Sequence, residues 1–324
     1  MAKPAVYISR GVRPSVLARL GEVCEVRAWT GSGRCPPEVL KKEVADVAAV
    51  LGTDQWTAEL MDEAGRLHII ALTAVGFDSV DIAAATERGI IVSNTAGSLT
   101  DTVADLVLAL ILAAARRVCE MDRWVRAGKW QGAAPMALDV HHKTLGIVGF
   151  GRIGTAVAER ARGFQMRVCY HDVVRRLDLE KQFGYRFVDL ASLLSEADFV
   201  SIHTALTPET RGMIGNAELA KMKSTAFLIN TSRGPVVNER ALIAALQAGK
   251  LAGAGLDVFE KEPIDSENPL LKMENVVALP HVGSATEATR QAMVDLATEN
   301  VLAVLRGKPP LTPVNPEVLS RLKA

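Results

Sequence analysis

Three glycines that interrupt an apolar run constrain this chain more than any other feature. Leu145–Val148 is followed by Gly149-Phe150-Gly151-Arg152-Ile153-Gly154, which has the spacing G-x-G-x-x-G, and a helical pattern comes next. Gly149 permits a tight turn, Gly151 leaves room for a pyrophosphate, and Gly154 allows helix and strand to pack closely. Helix N-termini attract anions, because their first N–H groups lack partners. The segment therefore predicts a dinucleotide site, with Arg152 and Ile153 among its contacts.

An acidic residue after the next strand strengthens this prediction. The apolar run Met166–His171 ends in Asp172. Dinucleotide-binding folds place the carboxylate that receives the ribose hydroxyls about 20 residues after the glycines. Strand, glycine loop, helix, strand and acid together are far more specific than glycines alone, so we expect Asp172 to bind the ribose.

Composition excludes several other classes of function. At 324 residues, the chain exceeds what most single cores support, and two domains are expected. The 37 basic and 37 acidic residues balance, which argues against nucleic acid or a membrane surface as partner. The longest apolar run, 106–115, is too short to span a bilayer, and the N-terminus lacks the apolar core of a signal peptide. The four cysteines show no C-x-x-C spacing, so we expect no metal site and a reducing, cytoplasmic location.

Strands and helices alternate in two series along the chain. This alternation predicts parallel sheets with helices on both faces. Because the glycine loop normally follows the first strand of its unit, its late position implies that another domain was built before it. We therefore predict an α/β fold with two doubly wound parallel-sheet domains. A Rossmann cofactor domain, residues 100–286, is inserted into a smaller flavodoxin-like substrate domain, residues 1–99 and 287–324. The predicted strands include Ala5–Ser9, Cys24–Trp29, Ala48–Gly52, His68–Leu72, Ile90–Ser93, Phe199–His203, Ala226–Asn230 and Ala252–Val258.

Helical patterns occupy the stretches between these strands. Thr100–Gly128 has few helix breakers and predicts one long helix, and Glu287–Arg306 predicts another. Because the first is apolar on much of its surface, we expect it to form the interface of a homodimer. Shorter helices are predicted at Pro37–Ala45, Thr57–Ala64 and Asp81–Arg88.

Three later strands end in segments that carry reactive side chains. Arg233 lies in Asn230–Gly234, Asp257 and Glu262 lie in Gly255–Pro263, and His281 lies in Leu279–Thr286. Ligands of open α/β sheets bind beyond the carboxyl ends of the strands. We therefore expect an arginine, a carboxylate and a histidine to converge near the coenzyme.

The order and spacing of these motifs resemble those of the D-isomer-specific 2-hydroxyacid dehydrogenases, and most closely their glyoxylate/hydroxypyruvate reductase branch. The resemblance covers nearly the whole chain, including Thr73–Asp78 and Ser93–Gly97 in the N-terminal part. It implies NAD(P)H-dependent reduction of short 2-oxo acids (glyoxylate, hydroxypyruvate or 2-keto sugar acids) to D-2-hydroxy acids. It also implies that the backbone N–H groups of Val75 and Gly76 bind the substrate carboxylate, and it places Asp257 beside the nicotinamide.

Each of the three reactive residues has a role that its chemistry suits. Arg233 can grip a carboxylate with two parallel N–H bonds and polarise the adjacent carbonyl. His281 can protonate the developing alkoxide as hydride arrives. Glu262 can pair with His281, favour its imidazolium form and hold the ring in place. The resemblance assigns the same roles. The remaining predicted coenzyme contacts are His203, Thr231, Ser232, Asp257 and Gly283, with Arg233 and His281 bordering both ligands.

Asp172 favours NAD, since a carboxylate accepts hydrogen bonds from ribose hydroxyls and repels a 2′-phosphate. NADP-preferring relatives carry a small polar residue followed by arginine, whereas this chain has Asp172-Val173. Arg175 and Arg176 lie close enough to compensate a phosphate in part, so NADP is the alternative coenzyme.

Several other interpretations stay open. A non-catalytic, NAD-sensing binding protein, similar to the corepressors of this family, can keep the same three residues. A phosphite dehydrogenase is also consistent with them, whereas formate dehydrogenases pair their histidine with glutamine instead of Glu262. Asp257 is alternatively a turn former, and His203 a strand-end residue. The physiological substrate and the direction of flux do not follow from the sequence.

Overall fold

Parallel strands make up both sheets of this protein. The structure, a computed structural model, describes residues 3–130 and 135–323, with the backbone alone for 321–323. The chain divides into two compact units, Met1–Leu99 together with Ala285–Ala324, and Thr100–Ser284. The first contains a five-stranded sheet and the second a seven-stranded sheet. The predicted α/β class with two parallel sheets is confirmed.

The first unit has the strand order β2-β1-β3-β4-β5, which is the flavodoxin-like order. Its central strands β3 and β4 are apolar and buried throughout, as expected for a sheet covered on both faces. Helix α12 packs against β3, β4 and α1. The strands are β1 Ala5–Ile8, β2 Glu25–Ala28, β3 Ala49–Gly52, β4 Ile69–Leu72 and β5 Ile91–Ser93. The helices are α1 Pro14–Gly21, α2 Pro37–Glu43, α3 Ala58–Glu63, α4 Ile82–Glu87 and α12 Glu287–Leu305.

The second unit has the strand order β12-β11-β10-β9-β6-β7-β8, so the direction of winding reverses between β6 and β9. Such a switch point leaves a crevice beyond the strand carboxyl ends, where dinucleotides bind. The strands are β6 Thr144–Val148, β7 Arg167–His171, β8 Arg186–Phe187, β9 Phe199–Ile202, β10 Phe227–Asn230, β11 Gly253–Leu256 and β12 Val276–Ala278. The helices are α5 Thr100–Ala115, α6 Val118–Arg126, α7 Arg152–Ala161, α8 Leu177–Phe183, α9 Leu190–Glu196, α10 Asn216–Leu219 and α11 Glu239–Gln247.

The prediction of one helix over Thr100–Gly128 is wrong, because the chain breaks between α5 and α6. Arg117 adopts a left-handed conformation (φ 53°), and its side chain pairs with Glu120. The Leu138 N–H donates to the Ala115 carbonyl, which satisfies an acceptor at the end of α5. α6 is followed by Gly128 at φ +74°, a common helix-ending geometry.

The two helices differ in what they bury. The apolar face of α5 packs against α7, β10 and β11 of its own unit. α6 buries none of its residues, and its Val118 and Val125 are more than half exposed. Ala109 of α5 is exposed and Leu106 and Leu112 are partly buried, so both helices keep apolar surface outside the core of their unit. Within the described part of the chain, every helix is too short or too polar to cross a membrane.

Candidate active site

The predicted site residues of the second unit follow neighbouring strands at one edge of the sheet. Because all strands are parallel, their carboxyl ends meet at this edge. Across the sheet the order is His281 after β12, Asp257 after β11, Arg233 after β10, His203 after β9, the glycine loop after β6 and Asp172 after β7.

The glycine loop fits a bound pyrophosphate. A Cβ on Gly149, which has φ +91°, would lie 2.8 Å from the backbone of His203, and one on Gly154 would lie 2.3 Å from the Gly149 carbonyl oxygen. The fold itself therefore requires these two glycines. A Cβ on Gly151 would meet nothing within 4 Å, so packing does not explain this glycine. The open space beside Gly151 leaves room for a phosphate group of the coenzyme.

The first turn of α7 presents backbone donors to the same space. Gly151 is the N-cap and has no side chain to accept hydrogen bonds from this turn. The N–H groups of Arg152 and Ile153 have no acceptor within an α-helix that begins here. Their position suits a phosphate oxygen.

Three buried hydroxyls near this edge also lack partners among the described residues. They are the Oγ1 atoms of Thr155 in α7, Thr204 after β9 and Thr231 after β10. Orphaned hydroxyls are uncommon in a finished core and are expected where a ligand supplies the partner. Thr231 was predicted, whereas Thr155 and Thr204 were missed, because a threonine after a strand or inside a helix has no distinctive pattern.

Asp172 is anchored to the glycine loop. Its Oδ2 accepts the Phe150 N–H at 2.5 Å, and its Oδ1 accepts the Val174 N–H at 2.9 Å. Each carboxylate oxygen has two lone pairs, so both can still accept from a ribose hydroxyl. The anchoring fixes the carboxylate beside the loop that it is predicted to serve.

The two arginines after Asp172 are paired with acids of α8. Arg175 makes two 2.8 Å bonds to Glu180, and Arg176 makes bonds of 3.1 and 2.8 Å to Asp178. The hydrogen bond from Arg175 holds the pKa of Glu180 at about 2. Both guanidinium groups are thus occupied by carboxylates in this structure.

His203 is half-buried, and its Nε2 lies 2.8 Å from the Ser201 hydroxyl. Burial lowers the pKa of His203 to about 3, so the ring is neutral over the physiological range. Its backbone N–H donates to Val148, and its carbonyl carbon lies against Gly149. These contacts suit a strand-end residue that shapes the glycine loop, while its contact with the coenzyme stays a prediction.

His281 and Glu262 form a hydrogen-bonded pair, with 2.6 Å between Nδ1 and Oε2. The other oxygen of Glu262 accepts the Phe259 N–H at 3.1 Å. Burial alone would raise the pKa of Glu262, but the bond and charge of His281, the Phe259 N–H and the charge of Arg233 together hold it below its ordinary value. Glu262 is therefore an anion, and its hydrogen bond to Nδ1 orients the imidazole ring of His281.

Asn230 shapes the loop that carries Arg233. Its amide donates to the Arg233 carbonyl at 3.0 Å, and its oxygen accepts from the N–H and hydroxyl of Ser232. A Cβ on Gly234 would lie 1.9 Å from the backbone of Phe259, so this loop passes directly against the segment that leads to Glu262. Neither residue was predicted: the bonds of Asn230 are local but follow no distinctive pattern, and the contact of Gly234 with Phe259 joins segments far apart in the sequence.

Asp257 holds the loop of His281. Its carboxylate accepts the N–H groups of Val282 and Gly283, both at 2.8 Å, and its carbonyl accepts the His281 N–H. The side chain is 1 % exposed, and burial raises its pKa in spite of these bonds. His281 itself adopts φ +54°, which the loop must sustain. Asp257 thus has a structural role beyond the predicted coenzyme contact.

In the first unit, the segment after β4 carries the predicted residues Val75 and Gly76. The Asn94 side chain donates to the Val75 carbonyl at 2.8 Å, and Asn94 is buried. Among the described residues, the N–H groups of Val75 and Gly76 have no acceptor. Two adjacent backbone donors without partners suit a carboxylate ligand.

Comparison with known proteins agrees with this geometry. Residues 108–283 match the model of the D-isomer specific 2-hydroxyacid dehydrogenase NAD binding domain. The chain is 49 % identical over 323 residues to a glyoxylate reductase of Korarchaeum cryptofilum, covering 98 % of this chain and 97 % of the relative. A glyoxylate reductase of Thermococcus litoralis is 46 % identical, with 98 % of both chains covered.

A solved structure shows the same similarity. The NADPH-dependent glyoxylate/hydroxypyruvate reductase of Sinorhizobium meliloti, in complex with NADP and malonate, superposes with a TM-score of 0.88 at 35 % identity and covers 97 % of both chains. The chain therefore belongs to the D-isomer-specific 2-hydroxyacid dehydrogenase family and is an NAD(P)-dependent dehydrogenase.

Proposed function

We propose that this enzyme reduces glyoxylate and related short 2-oxo acids, hydroxypyruvate among them, to D-2-hydroxy acids. The observation that carries the proposal is the hydrogen-bonded pair of His281 and Glu262. The charge of Arg233 also helps to lower the pKa of Glu262. The names of the relatives, which are glyoxylate reductases, support the choice of substrate class. Residues 100–286 form the coenzyme domain in this proposal, and residues 1–99 and 287–324 form the substrate domain.

The substrate carboxylate binds to the guanidinium of Arg233 and to the N–H groups of Val75 and Gly76. A planar fork of N–H donors matches two carboxylate oxygens, and Arg233 also polarises the neighbouring carbonyl. Asn230 and Gly234 fix the loop from which Arg233 projects. This positioning lowers the entropy cost of reaching the transition state.

His281 transfers the proton. Its Nδ1 faces Glu262, so Nε2 is the atom left for the substrate oxygen. His281 would protonate the oxygen that becomes an alkoxide, with the hydride supplied by the nicotinamide when it is bound. Glu262 keeps the ring oriented and stabilises its charged form before the proton leaves. Asp257 holds the backbone on which this histidine sits.

NAD is the preferred coenzyme in this proposal. Asp172 is ordered by two backbone N–H groups and would face the 2′-position with its negative charge. Two hydrogen bonds to Glu180 hold Arg175, the arginine that would otherwise be available to a 2′-phosphate. The proposed coenzyme contacts are Gly149, Gly151, Arg152, Ile153 and Gly154 of the loop, with Asp172, His203, Thr231, Ser232, Arg233, Asp257, His281 and Gly283.

In this proposal the enzyme acts as a homodimer whose interface includes α5 and also α6. The exposed Val118 and Val125 of this helix support the assignment. Val125→Glu should convert a dimer to monomers in sedimentation analysis, and a native protein that sediments as a monomer would refute the assignment.

The direct test of function is a panel of 2-oxo acids assayed with NADH and with NADPH. We expect NADH oxidation that scales with enzyme concentration and is fastest with glyoxylate or hydroxypyruvate. Tight NADH binding without turnover of any 2-oxo acid would instead favour a coenzyme-sensing protein. Reduction of NAD by phosphite, without turnover of 2-hydroxy acids, would favour a phosphite dehydrogenase.

A further inference from the structure

A cavity lined by arginines lies in the first unit, at the carboxyl edge of its sheet. Arg10 follows β1, Thr73 follows β4, and Arg290 belongs to the first turns of α12. Together with their neighbours they line a cavity of about 520 Å³. In open α/β sheets this edge is where ligands bind, and the strand order of this unit is of that kind.

Arg10 is less exposed than the other two arginines of this cavity. It is half-buried, and its Nη1 donates to the Thr73 hydroxyl at 2.8 Å. Within the described part of the chain, no carboxylate comes within ion-pair distance of its guanidinium group. Burial and the charge of Arg290 both lower the pKa of Arg10, against the attraction of Asp54. The fold therefore maintains a partly desolvated cation at a cost that an anion would offset.

The charges around the cavity are unequal. Of the residues that line it, three are arginines and one, Glu287, is acidic. Glu287 forms an ion pair with Arg13, the third of these arginines. Asp54 does not line the cavity, and its carboxyl group accepts a hydrogen bond from Ser9. The side chains that line the cavity thus carry a net positive charge.

The hydroxyl of Thr73 adds a polar group of the right kind. Thr73 is 2 % exposed, and its oxygen accepts from Arg10, which leaves its proton to be donated. Guanidinium groups bind carboxylates and phosphates with paired N–H bonds, and a hydroxyl donor completes such sites.

We propose that this cavity is a binding site for a small oxyanion, a phosphate or carboxylate group, held by Arg10, Arg290 and the hydroxyl of Thr73. Two sources can supply such a group. One is a free anion, and the other is the second acid group of a longer 2-oxo acid, an origin that rests on the proposed function. In both cases the bound group is an oxyanion that accepts hydrogen bonds from Arg10 and Arg290.

Calorimetric titration of inorganic phosphate tests the site. The enzyme is first saturated with NADH, so that the glycine loop does not compete for phosphate. We expect saturable binding that Arg10→Gln weakens at least tenfold. Arg34→Gln is the matched control, because Arg34 is exposed and repels Arg10 without lining the cavity. It should change the affinity less than twofold.

Three results would overturn the proposal: no phosphate binding by the native enzyme, native affinity in Arg10→Gln, or an equal loss in Arg34→Gln. If Arg10→Gln does not fold, the exposed Arg290→Gln replaces it, with the same expected loss. Native affinity in that variant would equally refute the site.

A kinetic comparison separates the two sources. In Arg10→Gln, a loss of kcat/KM for 2-oxoglutarate that is at least fivefold greater than the loss for glyoxylate identifies the acid group of the substrate. Equal changes, with phosphate binding intact in Arg233→Gln, identify a free anion. If the enzyme reduces neither acid, the proposed function fails, while the calorimetric result still decides whether the cavity binds phosphate.

Discussion

Glu262 holds His281 through a 2.6 Å contact between Oε2 and Nδ1, while the Phe259 N–H holds its other oxygen. Both carboxylate oxygens of Glu262 are therefore hydrogen-bonded, which keeps the carboxylate oriented towards the imidazole ring. Nε2 is the ring nitrogen that this contact leaves for the proposed proton transfer, and the orientation of the histidine depends on the carboxylate of Glu262.

Replacing Glu262 tests this dependence. Glu262→Gln keeps the shape and a hydrogen-bond partner but removes the negative charge. We expect kcat to fall about 10²-fold, because general acid catalysis by a positioned histidine contributes 10² or more. The dissociation constant for NADH, measured by fluorescence titration, should change less than twofold. A kcat within threefold of the native value would show that the carboxylate charge has no role.

Arg233 should contribute to both binding and rate. In Arg233→Lys one positive charge remains but the planar fork is lost, so we expect kcat/KM for glyoxylate to fall about 10²-fold, equivalent to about 3 kcal/mol. Arg240→Lys, on the neighbouring helix α11, is the matched control and should be native in rate. Steady-state kinetics with saturating NADH makes the comparison, and an unchanged kcat/KM in Arg233→Lys would remove the residue from substrate binding.

Coenzyme choice should depend on Asp172 and Glu180 together. The double variant with Asp172→Ser and Glu180→Gln removes the charge facing the 2′-position and releases Arg175 from its bidentate partner. We expect the ratio of kcat/KM for NADPH to that for NADH to rise about tenfold or more, since the repulsion by Asp172 is removed and Arg175 can form charge-assisted hydrogen bonds to the 2′-phosphate. Glu196→Gln, which breaks the 3.0 Å pair with Arg186 in the same unit, should leave the ratio unchanged. A native ratio in the double variant would show that other residues set the preference.

The neutral state of His203 predicts a loss of stability in acid. Its pKa in the folded protein is about 3, whereas the ordinary value is 6.5, so the unfolded chain binds more protons between these limits. Stability should therefore fall as the pH drops from 6.5 towards 3 and be fully present above 6.5. His203→Gln should reduce the loss between pH 7 and pH 4 by on the order of 2 kcal/mol, measured by urea unfolding. Parallel losses in the native protein and the variant would mean that the ring is protonated in the fold.

Local patterns in the sequence predicted where the glycine loop lies, between β6 and α7, and that Asp172 follows the next strand. The three glycines, for example, all lie between positions 149 and 154 and belong to a single turn, so their pattern is visible in the local sequence. Asp257 was predicted as a coenzyme contact, but its hydrogen bonds with the Val282 and Gly283 N–H groups were not predicted. These bonds join residues that are distant in sequence. Such a contact depends on which strands are neighbours, and a single sequence does not encode this in any local pattern.

The break at Arg117 was missed for a related reason. Thr100–Gly128 contains no proline or glycine before its end, and its propensity is helical throughout. The chain nevertheless leaves α5 where the apolar face that packs on α7 and β11 ends. Tertiary packing, which propensity does not describe, therefore decided where the helix stops.

In the proposed reaction, His281 donates the proton during reduction of a 2-oxo acid by NADH. The most direct measurement is the rate of NADH oxidation with saturating glyoxylate in the native enzyme and in His281→Asn, at equal coenzyme occupancy. We predict rapid turnover by the native enzyme and a loss of at least 10³-fold in the variant, which still binds NADH. Turnover of glyoxylate by His281→Asn at the native rate would contradict the account.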